Sequence, residues 1–229
     1  MRRRVFLQNS MLAFGAFTIG QQKIIKALAV APWKITMLTD DIGIFTEKGG
    51  AIAFHFSKDG ITVVDAQFPD SAKHLIDELK IRKNSPFRLL INTRHHGDHS
   101  SGNIAFKDVV SRVLAHKNSL ANQKRVAAAQ KTGDKQLFPT QTFDKIWSED
   151  AGKEKISLHY FGAAHTNGDA VIHFNHANIA HIGDLVFNRR HPFVDRSAGA
   201  NMQSWMNVLN SALKKFDNKT IFVCGHAET

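Results

Sequence analysis

The sequence predicts an α/β fold, one domain made of two packed sheets with helices on the outside. Three observations predict it. The chain has 229 residues, 43% hydrophobic and 22% charged, which suits a folded domain with a buried core. Short β-type runs come first, mixed strand and helix patterns follow, and the same style recurs in the second half. No Pro/Gly/Ser-rich linker separates the halves, so residues 30–229 read as a single domain.

The elements follow in order. "WKITMLT", "IGIFT", "AIAFHFS" and "ITVVDAQ" are β-type runs separated by Asp-Asp, Lys-Gly-Gly and Lys-Asp-Gly turns. "PDSAKHLIDELKIRK" carries Ala72, Leu75, Ile76 and Leu79 at i, i+3, i+4 and i+7 behind Pro69 and Asp70, the pattern of an amphipathic helix. "FRLLINT" is a buried strand, "VVSRVLA" another, and a helix is expected over 118–131. Further strands are expected at "FDKIW", "EKISLHYFG", "AVIHF", "NIAHIGD" and "TIFVCG". A helix over 202–216 places Trp205, Val208, Leu209, Ala212, Leu213 and Phe216 on one face.

Residues 1–29 are set apart. Arg2, Arg3 and Arg4 precede a short apolar run, and Ala27-Leu28-Ala29 closes the segment, the order of a secretory signal. Arg3-Arg4-Val5-Phe6-Leu7 resembles a twin-arginine export signal, which places the mature chain in the periplasm or outside the cell. The run Met11–Gly20 is too short to span a bilayer, so no stable span is expected once the signal is removed. This segment also holds five positive charges and no acid, half of the net +10. The remainder is mild and spread along the chain without an aromatic-interleaved basic stripe, which argues against a nucleic-acid partner. The one cysteine, Cys224, lies in an apolar run and reads as a small core residue.

The chemistry gathers at strand ends. "INTRHHGDHSSGN" places Arg94, His95, His96, Asp98 and His99 directly after a buried strand. His165 in "GAAHTNGD", Asp184 in "HIGDLVF" and His226 in "VCGHAET" each end or follow an apolar run beside a glycine. Neutral imidazole and carboxylate are the donors zinc takes outside thiolate sites, and strand-end loops on one face of a layered fold can turn several of them toward one point. The other histidines, His173 and His181 among them, read as packed or exposed rather than ligating.

These four elements, in this order over residues 35–229, resemble the metallo-β-lactamase superfamily of metal-dependent hydrolases. Its pattern is H-x-H-x-D-H after a strand, then a distant His, an Asp and a late His. The resemblance implies a four-layer αβ/βα sandwich and a hydrolase that activates water on zinc to cleave an ester, thioester, lactone or amide of a small molecule, a β-lactam included. It implies one or two zinc ions. His96 and His165 would serve a first position, Asp98, His99 and His226 a second, and Asp184 would bridge them. Asp98 would also orient the attacking water, and Asp65 would support the histidine loop from behind. A bridging aspartate resembles the glyoxalase II and lactonase branches more than the antibiotic-degrading ones.

Two departures qualify it. Arg94 stands where the family's first histidine belongs, and a guanidinium has no lone pair to give a metal. Three readings follow: only the second position is filled, or His95 takes the missing place, or catalysis is lost and the chain is a binding protein on the same fold. The intact remaining ligands favour the first. Arg94 could also hold an anionic group of the substrate. The second departure is that the chain stops three residues after His226, where family members continue with another helix, so the C-terminus reads as truncated.

Overall fold

The apolar runs pair into two sheets in the structure, a computed structural model that describes residues 32–227. The export-signal segment lies outside the described residues. The first sheet holds β1 (Lys34–Met37), β2 (Ile42–Thr46), β3 (Ile52–Ser57), β4 (Gly60–Val64), β5 (Phe87–Asn92), β6 (Val113–His116) and β7 (Gln141–Phe143), side by side in chain order. Antiparallel hairpins join β1 to β4, and β4 to β7 run parallel. The second sheet is built from β8 (Ile146–Ala151), β9 (Glu154–His159), β10 (Val171–Phe174), β11 (Ile179–Asn188) and β12 (Ile221–Ala227) in the order β12-β11-β10-β9-β8, with β11 and β12 parallel. The helices are α1 (Pro69–Arg82), the single turn α2 (Gly97–Ser100), α3 (Lys117–Gln130) and α4 (Met202–Lys215). None of the described helices is long and apolar enough to cross a membrane.

Side-chain alternation assigns the layers. Ala53, Val64, Leu89, Ile91 and Leu114 of the first sheet meet Ile156, Leu158, Ile172, Phe174 and Val223 of the second in a core between the sheets. The opposite face of the first sheet, with Phe45, Ile52, Phe54, Ile61 and Val63, is covered by Ala72, Leu75, Ile76 and Leu79 of α1. The outer face of the second sheet, with Val171, Ala180 and Ile182, is covered by Trp205, Val208 and Ala212 of α4. The order is helix, sheet, sheet, helix, the layered sandwich expected. Pro69 in the first turn and Asp70 beside the helix N-terminus start α1, and Lys80 and Arg82 sit in its last turn.

Three elements differ from the sequence reading. "FDKIW" is not one strand. Phe143 ends β7 in the first sheet and Ile146 begins β8 in the second, so the chain crosses between sheets at Asp144-Lys145. Phe143 and Trp147 still reach the same core, which is why the run read as continuous. "VVSRVLA" forms a strand only from Val113 onward, because Val109 and Val110 donate back to the Phe106 carbonyl in a turn and Val110 makes a single isolated bridge to Phe87. On α4, Leu213 is 69% exposed, while Trp205, Val208 and Ala212 carry the buried stripe.

Candidate metal centre

The site is built where strands of both sheets end. β5 stops at Asn92, and His96, in extended conformation, caps α2, whose turn presents Asp98 and His99. The His96 carbonyl accepts the backbone N–H of His99 and Ser100. Asp65 follows β4 with φ 67°, a left-handed conformation unusual for a non-glycine. That turn aims its carboxylate into the histidine loop, where it accepts from Thr93 N, Thr93 Oγ1 and His99 Nδ1, each at 2.7 Å. Asp184 and His226 lie within β11 and β12, whose pairing slips in register on either side of Gly183. Gly225 is required beside them, because a Cβ there would collide with Asp184 Oδ1.

Asp98, His99, His226 and Asp184 converge. His226 Nε2 lies 2.8 Å from Asp98 Oδ2, 3.5 Å from His99 Nε2 and 3.6 Å from Asp184 Oδ2. His99 Nε2 lies 3.5 Å from Asp98 Oδ2 and 3.7 Å from Asp184 Oδ1. Donors bound at ~2.0–2.1 Å to a tetrahedral ion stand ~3.3–3.4 Å apart, and the ligand atoms of Asp98, His99 and His226 lie close to that spacing, with Asp184 flanking them through one oxygen toward each histidine. Asp184 Oδ1 is buried without a hydrogen-bond partner and faces this group. An orphaned carboxylate oxygen beside two imidazoles fits a divalent cation. His99 also has its outer nitrogen held by Asp65, the carboxylate–histidine arrangement that orients metal ligands.

The first position has a different occupant. The Arg94 side chain is buried, with 1% of the residue exposed. Its Nε donates to His96 Nδ1 at 3.1 Å, its Nη2 pairs with Asp184 Oδ2, and Asp98 Oδ1 is 3.9 Å away. His165 Nε2 stands 3.0 Å from His96 Nδ1 and 3.8 Å from Asp184 Oδ2, while its Nδ1–H donates to the Phe193 carbonyl at 2.6 Å. These residues therefore surround a guanidinium, and as they stand they do not fit a metal ion there.

Electrostatics agree with this division. Burial, reinforced by the Arg94 charge, pulls His165 down to about 3 and lowers His96, so both rings are neutral at pH 7. Burial and Arg94 also oppose a proton on His99, but Asp65 and Asp98 outweigh them and lift it to about 9. Burial raises Asp98, yet hydrogen bonds from His226 and His99 hold it well below the carboxylate range, so it is ionised. The side chains of Asp98, His96 and His226 are partly exposed, and the centre opens to solvent on that side.

Asp195, in the loop after β11, has no pattern in the sequence to mark it. It accepts from His96 Nε2 at 2.8 Å and lies 3.6 Å from His95 Nε2. His95, His96 and Asp195 hold ligand atoms close enough to suggest a further metal group. Arg94 excludes that reading. Arginine only donates, so His96 Nδ1 must accept, and its proton then sits on Nε2 facing Asp195. His95 is buried against the His96 ring and does not enter the position beside Arg94. His181 is fully buried, and its ring nitrogens are taken by the Ala51 carbonyl and the Gly183 backbone N–H.

Comparison with known proteins gives one family. The family model described as "Metallo-beta-lactamase superfamily" matches residues 52–226. The "Metallo-beta-lactamase type 2" of Bacillus cereus is 24% identical over 204 residues, 85% of this chain and 76% of that protein. The protein of the same name from Bacillus sp. (strain 170) is 23% identical over 206 residues with the same coverage. Among solved structures, a metallo-beta-lactamase from Pontibacter korlensis superposes with a TM-score of 0.74 at 18% identity, covering 86% of this chain and 92% of that one. Metallo-beta-lactamase IND-7 superposes with a TM-score of 0.72 at 20% identity, covering 87% and 93%. At such identities the superpositions speak for the fold alone.

Proposed function

The chain belongs to the metallo-β-lactamase superfamily, and from that membership we propose a metal-dependent hydrolase that holds one zinc ion between Asp98, His99, Asp184 and His226. The observation carrying this reading is the convergence of Asp98, His99 and His226, with Asp184 Oδ1 left buried and unpaired 3.7 Å from His99 Nε2. A zinc ion in that seat supplies Lewis acidity and draws the pKa of water from about 15.7 toward about 7. Asp98, ionised and partly exposed, orients the attacking water through the oxygen turned away from His226. Asp65 fixes the His99 ring.

The substrate class is a small ester, thioester, lactone or amide. The names of the Bacillus relatives add the β-lactam ring to the candidates. Export through residues 1–29 to the periplasm or medium completes the proposal. A panel of nitrocefin, lactones and thioesters tests it. Turnover is expected with zinc, lost on chelation and lost in Asp98→Ala. Metal-free protein whose activity is unaffected by Asp98→Ala would sink it. A second reading, a binding protein without catalysis on the same fold, is favoured by Arg94 in the first position. Zinc-dependent turnover abolished by His99→Ala removes it.

A further inference from the structure

We infer that Arg94 is the permanent occupant of the first metal position, a tethered cation whose guanidinium bonds His96 and Asp184 directly, beside His165, in place of a second metal ion. The lone pairs there are already arranged for a cation. The Phe193 carbonyl only accepts, so His165 carries its proton on Nδ1 and turns the Nε2 lone pair inward. Asp195 takes the Nε2–H of His96 and leaves the Nδ1 lone pair inward. Two imidazole lone pairs 3.0 Å apart beside the Asp184 carboxylate repel one another unless positive charge lies against them. The Arg94 fork supplies it, with Nε on His96 and Nη2 on Asp184 Oδ2.

Arg94 also acts through Asp184 as a positioning residue. By engaging Oδ2, which also stands 3.6 Å from His226 Nε2, it leaves Oδ1 as the oxygen turned toward His99. The outer partners of a metal site, Asp195 on His96 and the Phe193 carbonyl on His165, remain in place around the guanidinium. Replacing Arg94 by a ligand should therefore be enough to open the position to metal.

The count of one ion rests on the functional reading above, but the deciding quantity is a difference. Wild type and Arg94→His are saturated with zinc, freed of excess and measured by elemental analysis. Arg94→His is expected to hold one zinc per chain more than wild type, and an unchanged count overturns the inference. If near-UV circular dichroism shows that Arg94→His is unfolded, Arg94→Ala replaces it. That variant is expected to take up an added zinc, because His96, His165 and Asp184 keep their inward donors once the guanidinium is gone. No added zinc in that variant overturns the inference. A gain in zinc upholds it whatever the turnover, and the wild-type chain on the substrate panel decides the hydrolase reading separately.

Discussion

At the scale of the residue, Asp65 shows how a side chain distant in sequence governs a ligand. Its left-handed backbone is the strained feature, and the return is a carboxylate that fixes Thr93 and His99 together. Removing its charge in Asp65→Asn should weaken zinc at the second position about 10–100-fold, the usual cost of losing an outer carboxylate, as read by competition with a chromogenic chelator. An unchanged affinity would mean that His99 needs no such support. Asp98, His99, His165, Asp184 and His226 are legible in the sequence as candidates because each ends or follows an apolar run near a glycine, although Asp184 and His226 lie within β11 and β12. Asp195 and the Phe193 carbonyl are not. They lie in an irregular loop, where no period or motif says which atom faces the centre.

At the scale of the element, α4 carries two apolar stripes of different consequence. Trp205 is buried against the second sheet and donates from Nε1 to the Leu185 carbonyl at 3.0 Å, whereas Leu213 stands in solvent. Trp205→Ala should cost about 3–5 kcal/mol in denaturant unfolding, since it leaves a cavity and an unpaired carbonyl. Leu213→Gln should change stability by less than about 0.5 kcal/mol. Equal losses would place the wrong face of α4 on the sheet. The helical period correctly lists apolar positions 205, 208, 212 and 213, but a stripe wider than the contact does not reveal its own edge. The same limit applies at "FDKIW", where the period of two continues while the chain changes sheet.

At the scale of the whole molecule, the buried histidines set a pH optimum for folding. Burial lowers His95 and His165 to about 3 and His159 to about 4 from an ordinary 6.5. Unfolding lets them take up protons, so their contribution is present above pH 6.5 and is lost as the pH falls toward 3. His99, lifted to about 9, contributes fully below 6.5 and loses that contribution as the pH rises through 9. Metal-free protein should therefore be most stable near pH 6.5, falling on both sides, as measured by thermal unfolding across pH 4–9. Zinc should flatten the alkaline side, because a ligating His99 holds no proton on the bound nitrogen. A melting temperature that rises steadily from pH 6.5 to 9 without metal would contradict this account.

Periodicity and local motifs act over a few residues, and for that reason the layered α/β fold, the donor types and the histidine cluster after a buried strand are legible without the structure. The sequence also placed a cation, Arg94, where a ligand belongs. Only the tertiary structure decided what that cation does. The partners of Arg94 are His96, two residues away, and Asp184, ninety residues away on the other sheet. The tautomers of His96 and His165 are set by Asp195 and Phe193 from a third segment. Contacts of that separation depend on how the two sheets stack, and the direction of a lone pair follows from the partner it meets there.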